Sequence, residues 1–228
     1  MFAGFSIVLA IGCGAILGAG AVLWLNRQQT LQREAFQALA ARRGWSLTIS
    51  EQKLGRPAIL RLTSRSGSGW HAESRLDAGD VKGRLSFRTT EFAAVEPHWP
   101  EGCLVLTPGP ADAEAAPLSA TLPQGRSKLS LEARGNLAVS SGMAAQLQGF
   151  PARPGVTVRA TIDPVHRFDL DALAKVMTDW KPQRHSSDGQ PVILISAEGF
   201  RVRLSHGMRR ADQMERFIDF SLEVIRVI

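Results

Sequence analysis

The sequence predicts an α+β protein, with an N-terminal transmembrane helix followed by a predominantly antiparallel β domain carrying two or three packed helices. Three observations lead there. Phe2 to Leu25 carry no charge over 24 positions. From residue 45 onward, short segments alternate apolar and polar residues. Near 169 and 212, helix-start residues stand ahead of apolar residues at helical spacing.

The uncharged run defines a transmembrane helix over 1–25. At a helical rise of ~1.5 Å per residue it spans ~36 Å, against a hydrocarbon core of ~30 Å. A cleaved signal peptide needs a basic residue before a short apolar stretch, and here none precedes the run, which is too long. Ala10-Ile11-Gly12-Cys13 faintly matches a lipoprotein cleavage site, but apolar sequence continues well beyond Cys13. Arg27, Arg33, Arg42 and Arg43 flank the C-terminal end of the run, so the rest of the chain is expected on the cytoplasmic side. Cys103 is the single cysteine outside the run, as a reducing compartment would favour. Arginine outnumbers lysine 22 to 5, which suggests a GC-rich genome and hence a bacterial inner membrane. Ser6, Ala10, Gly14 and Gly18 repeat every four residues and form one bare helix face. Close packing there leads to the expectation of a homodimer through this helix.

A juxtamembrane helix is predicted over 26–44, with Leu31, Ala35, Phe36, Leu39 and Ala40 on one face and Gly44 as its stop. A first β-rich lobe follows over 45–107, with strands near 45–50, 57–65 and 102–107. Trp70–Leu76 and Val81–Arg88 both alternate, and 77–80 has turn composition. A hairpin there would set Leu76 against Val81, Glu73 against Arg84 and Trp70 against Phe87. Residues 108–127 read as a linker or long loop.

A second α+β lobe is predicted over 128–228, with strands near 128–132 and 156–162. Asp169 caps a helix running to Trp180, and Phe168 is placed to staple Leu173. Residues 191–206 form a hairpin turning at Glu198-Gly199, with Ile193, Ile195 and Ala197 meeting Leu204, Val202 and Phe200. Asp212 and Glu215 form a capping-box-like pair for an amphipathic last helix bearing Met214, Phe217, Ile218, Leu222 and Ile225. The order helix, Trp45, Pro57-Ala58-Ile59-Leu60 recurs as helix, Trp180, Pro191-Val192-Ile193-Leu194, which raises two similar lobes as an expectation.

Charge is segregated. Residues 26–90 hold 12 basic and 5 acidic groups, whereas 91–120 hold 5 acidic groups and no basic one. The part nearest the membrane is thus the basic part, as an anionic leaflet would favour.

Enzymatic signatures mostly fail. His71-Ala72-Glu73 matches the H-x-E of zinc deaminases, but the paired cysteines that complete the metal shell are missing. Ser50-Glu51-Gln52-Lys53 and Ser187-Asp188-Gly189 match two motifs of penicillin-recognising enzymes, yet the third is missing. Gly12-x-Gly14 and Gly18-x-Gly20 lie in the apolar run, where no phosphate loop forms. Two weak clusters remain. Glu96, His98 and Glu101 have zinc-ligand chemistry, and Cys103 with His98 is a candidate thiolate–imidazole pair. Asp163 and His166, with Asp169 and Asp171, are candidates for a metal or acid–base role. His185 and His206 have no partners nearby in sequence.

Nucleic acid is not an expected partner. Arg84, Arg88, Arg159, Arg201 and Arg203 fall on outward strand positions, but the chain has no tyrosine and its aromatics fall inward. No cofactor is expected. The expected role is a scaffold, adaptor or sensor held in the lipid bilayer with a membrane-protein partner. The alternatives are a membrane-tethered hydrolase or metal-dependent enzyme, and an anionic-lipid-binding domain. Convergence of the two clusters in one pocket would favour the enzyme.

Overall fold

The period-two segments build a nine-stranded antiparallel sheet, in the order β1-β2-β3-β4-β9-β8-β5-β7-β6. The strands are β1 (Trp45–Ser50), β2 (Ala58–Ser64), β3 (Trp70–Leu76), β4 (Thr89–Ala94), β5 (Leu104–Pro108), β6 (Gln148–Arg153), β7 (Val156–Ala160), β8 (Val192–Ser196) and β9 (Gly199–Leu204). Helix α1 covers 27–43, α2 is Leu170–Asp179 and α3 is Ala211–Val227. This computed structural model describes Trp24 and residues 27–50, 58–65, 69–76, 89–109, 146–181 and 189–228. The predicted span, its face of Ser6, Ala10, Gly14 and Gly18, and the strand near 128–132 lie outside the described residues. Among the described residues no helix is long and apolar enough to cross a membrane.

The three helices among the described residues contribute to one apolar core with the inner sheet face. Phe36, Leu39 and Ala40 of α1, Leu173 and Met177 of α2, and Met214, Phe217 and Val224 of α3 are buried in it. An aromatic row runs through it: Trp45 meets Trp70 edge-on at 5.4 Å, Trp70 stacks on Phe92 at 5.4 Å, and Phe92 meets Phe200 at 6.1 Å. Such pairs add about 0.5–1.5 kcal/mol each beyond their buried area.

Local chemistry behaves as read. Gly44 ends α1 at φ +66°, the left-handed stop that glycine takes without strain. Asp169 caps α2, its carboxylate accepting from Ala172 N at 2.9 Å.

Pairing differs from the sequence reading in several places. β2 and β4 occupy the two edges of β3, and the segment 81–88 expected beside it lies outside the described residues. β2 sets Arg61 opposite Glu73, and β4 sets Glu91 opposite Glu73 and Ala94 opposite Trp70. The segment Thr89–Ala94 wins this position by burying Thr90, Phe92 and Ala94 on the inner face. The β8–β9 hairpin is displaced by two residues, so Ile193 faces Val202 and Ile195 faces Phe200 around a turn at Ala197-Glu198. A two-residue slip preserves which side chains face inward, so the alternation could not detect it. Strand β6 was not anticipated, since Gly149 and Pro151 mask it. It is an edge strand with a register shift between Phe150 and Arg153, where proline is tolerated.

The capping box of α3 is likewise replaced. Arg210 stands at the N-cap with no side-chain cap bond, and Asp212 lies within the first turn, bound by the Arg210 guanidinium at 2.8 Å and 3.0 Å. Glu215 reaches α1 instead, at 2.5 Å from Arg42 Nη2. The buried stripe runs through Met214, Phe217, Ile218, Ser221 and Val224, leaving Leu222 and Ile225 only partly covered. The strands assigned to two lobes share one sheet, with β9 and β8 lying between β4 and β5.

Candidate functional site

The two polar clusters singled out by sequence lie on neighbouring segments. The backbone of Cys103 donates to Thr161 Oγ1 at 2.9 Å, and Thr161 N returns to Cys103 O at 3.0 Å. The Arg167 guanidinium donates to His98 O at 3.3 Å. Trp99 is buried between the segments, edge-on to Phe168 at 5.2 Å, with its backbone N–H on Ser196 O at 2.9 Å. Gly102 lies so close beneath Trp99 that an added Cβ would stand 2.7 Å from its ring. An apolar contact, Trp99 on Phe168, therefore lies where the two segments meet.

The candidate side chains are locally bonded, buried or exposed. His98 Nδ1 is 2.7 Å from Glu96 Oε1, an exposed pair. Glu101 is exposed. Cys103 is fully buried against Val105 and Leu194, and burial pushes its thiol up to about 11. A buried thiol so rarely ionised is a poor nucleophile and metal ligand. Asp163 accepts the N–H of Val165 at 3.0 Å as a turn residue. His166 is exposed, and Asp171 is 2.6 Å from Arg153 Nε. Among the described residues, no group of three or more His, Cys, Asp or Glu is placed to hold a metal ion. No such ligating group joins 96–103 to 163–171 among the described residues.

The outer sheet face carries a polar row. Burial pushes the Glu73 carboxyl up, but hydrogen bonds from Arg61 and Arg75 outweigh it and hold it below the ordinary range. Arg61 lies directly opposite Glu73 on β2 and Arg75 two residues along β3, while the expected partner Arg84 lies outside the described residues. His71 shares this face, lowered first by burial and then by Arg61. Arg203 is nine-tenths buried with Glu91 at 3.7 Å, and Arg201 binds Glu198 at 2.9 Å. Cations so engaged or buried offer little to a phosphate backbone.

Sequence reasoning missed one buried polar node on the inner face. Thr90 Oγ1 donates to His206 O at 2.9 Å and accepts from Met208 N at 3.0 Å, while Ser74 Oγ donates to Met208 O at 3.0 Å. It fastens the 205–210 segment to β3 and β4 ahead of α3. The only signal was hydroxyl residues at inward strand positions.

At the other end of that segment an open groove of about 500 Å³ separates α1 from the start of α3. Leu31, Ala35 and Ala38 line one side, and Arg209 and Arg210 the other. Arg42 and Arg43, expected to flank a membrane, are tied to Glu215, and Arg43 also to Asp219. Arg27 and Arg33 are exposed. No protein-family model, curated protein or solved structure matches the chain.

Proposed function

We propose that this chain is a single-pass inner-membrane protein whose cytoplasmic α+β domain binds a partner rather than performing chemistry, as a scaffold, adaptor or sensor. The observation that carries the reading is the seating of α1. It follows directly on the uncharged run, and its Phe36, Leu39 and Ala40 are buried in the core. Phe36 lies 11 residues beyond Leu25, or about 16 Å along a helix. A domain held that close to a bilayer, without a loose linker, transmits position and orientation. The side chains proposed for catalysis are exposed singly, locally bonded or buried, which supports binding over chemistry.

The test is twofold. Membranes containing the full chain are washed with alkaline carbonate, and a topology reporter is fused after Ile228. The proposal expects the protein in the pellet and a reporter active on the cytoplasmic side. Release into the supernatant defeats the anchor, and a reporter active only outside the cytoplasm defeats the orientation.

A further inference from the structure

Helix α1 presents two apolar faces, and only one is spent on the core. Phe36, Leu39 and Ala40 point into the sheet. Leu31 is 49% exposed, Ala35 and Ala38 are exposed beside it, and Trp24 upstream is 61% exposed. Trp24, Gln28, Leu31, Ala35 and Ala38 follow one another at steps of four, three, four and three. That spacing matches the a/d positions of a coiled coil, apolar at each but Gln28, and a seam of this kind is buried by another helix. It ends at Arg42, whose guanidinium is committed to Glu215.

We propose that this seam packs against the α1 helix of a second copy of the chain, in parallel and in register. The proposal rests on the membrane-anchored reading above. Two copies whose α1 helices follow runs seated in one bilayer share a direction, so parallel pairing needs no rearrangement. In the sequence the same spacing continues back through Ala21, Leu17, Gly14 and Ala10, toward the small-residue face already expected to associate. Ala35 and Ala38 have short side chains, which lets two backbones approach closely.

The groove beside the seam supplies charge complementarity. Its far wall carries Arg209, which is exposed and makes no ion pair among the described residues. Glu34, on the flank of the seam, is also exposed and unpaired among them. In-register pairing lays the second helix along this groove and brings its Glu34 toward the Arg209 wall. The two-fold axis makes the exchange reciprocal.

The experiment uses the full chain in native membranes, with Cys13→Ser to remove the thiol of the apolar run. Single cysteines are placed at Leu31, Ala35 and Ala38, and at Arg33 and Gln37 on other faces of α1. After mild oxidation, the disulfide-linked dimer is expected severalfold stronger at the three seam positions than at the two controls. With the cysteine at Ala38, Glu34→Arg or Arg209→Glu alone should lower the yield, and the two together should restore it. A flat profile, a maximum at Arg33 or Gln37, or no restoration overturns the seam. The same membranes are washed with alkaline carbonate. Retention with a flat profile overturns the seam alone, and release overturns the anchor reading and the seam with it.

Discussion

Replacing Phe36 with alanine should loosen α1 from the sheet more than cutting every ion pair that ties its end to α3. Phe36 is 2% exposed and is the largest α1 side chain in the core. Removing a buried phenyl group costs about 3–5 kcal/mol, because transfer energy is lost and a cavity remains. The competing ties are Arg42 to Glu215 and Arg43 to Glu215 and Asp219. These side chains are between a fifth and two-thirds exposed, so solvent screens them and each pair contributes about 0.2–1 kcal/mol. The apolar contact therefore dominates. At about 1.4 kcal/mol per factor of ten, a cost of about 3–5 kcal/mol corresponds to a rise from about 10² to several times 10³ in the opening equilibrium of α1. Amide hydrogen exchange on the full chain in mild detergent reads this directly. Peptides from α1 should lose protection by that factor, while those from β4 and β9 keep theirs. The reasoning is refuted if α1 protection is unchanged in Phe36→Ala, or falls as far in the Arg42→Ala, Arg43→Ala double variant.

Three further predictions follow from the same contacts. In a Cys13→Ser background, Cys103 should resist a water-soluble thiol reagent at pH 8 until the protein is denatured, because its thiol is buried and raised to about 11; prompt labelling of the native chain would contradict this. Folded His71 and Glu73 both bind fewer protons than when unfolded, so stability should fall with acid. The His71 share is full above its ordinary 6.5 and is lost as pH falls below it; the Glu73 share is lost as pH falls from its ordinary 4.5 through its lowered folded value. Thermal melts from pH 8 to 3 should show this slope, with Glu73→Gln flattening the lower part; stability rising toward acid would reverse the argument. Gly199→Ala should destabilise by more than about 1 kcal/mol, since φ is +113° and the added Cβ meets Ala94 O and lies 2.9 Å from Val95 O. Gly69→Ala, at φ +62° with open space around it, is the milder control in the same denaturation series.

What the sequence by itself determined are features set by residues a few positions apart. Asp169 reaches Ala172 N within a single turn, and Gly44 ends α1 by its own φ, so both are legible locally. The inward sides of β8 and β9 follow from alternation, and so survived a two-residue error in register. The uncharged run Phe2–Leu25 is likewise a property of contiguous residues.

Tertiary structure alone decided which strands become neighbours. Glu73 lies opposite Arg61 and Glu91, in a register that buries Phe92 against Trp70. It decided that Glu215 serves α1 and not its own helix end. It also decided that Trp99 packs on Phe168 where the two polar segments meet, with His98 beside Glu96 and Asp163 bonded to its own turn. These outcomes depend on contacts between distant parts of the chain, whose energies come from area removed from water. No local pattern encodes which distant surface will do the covering.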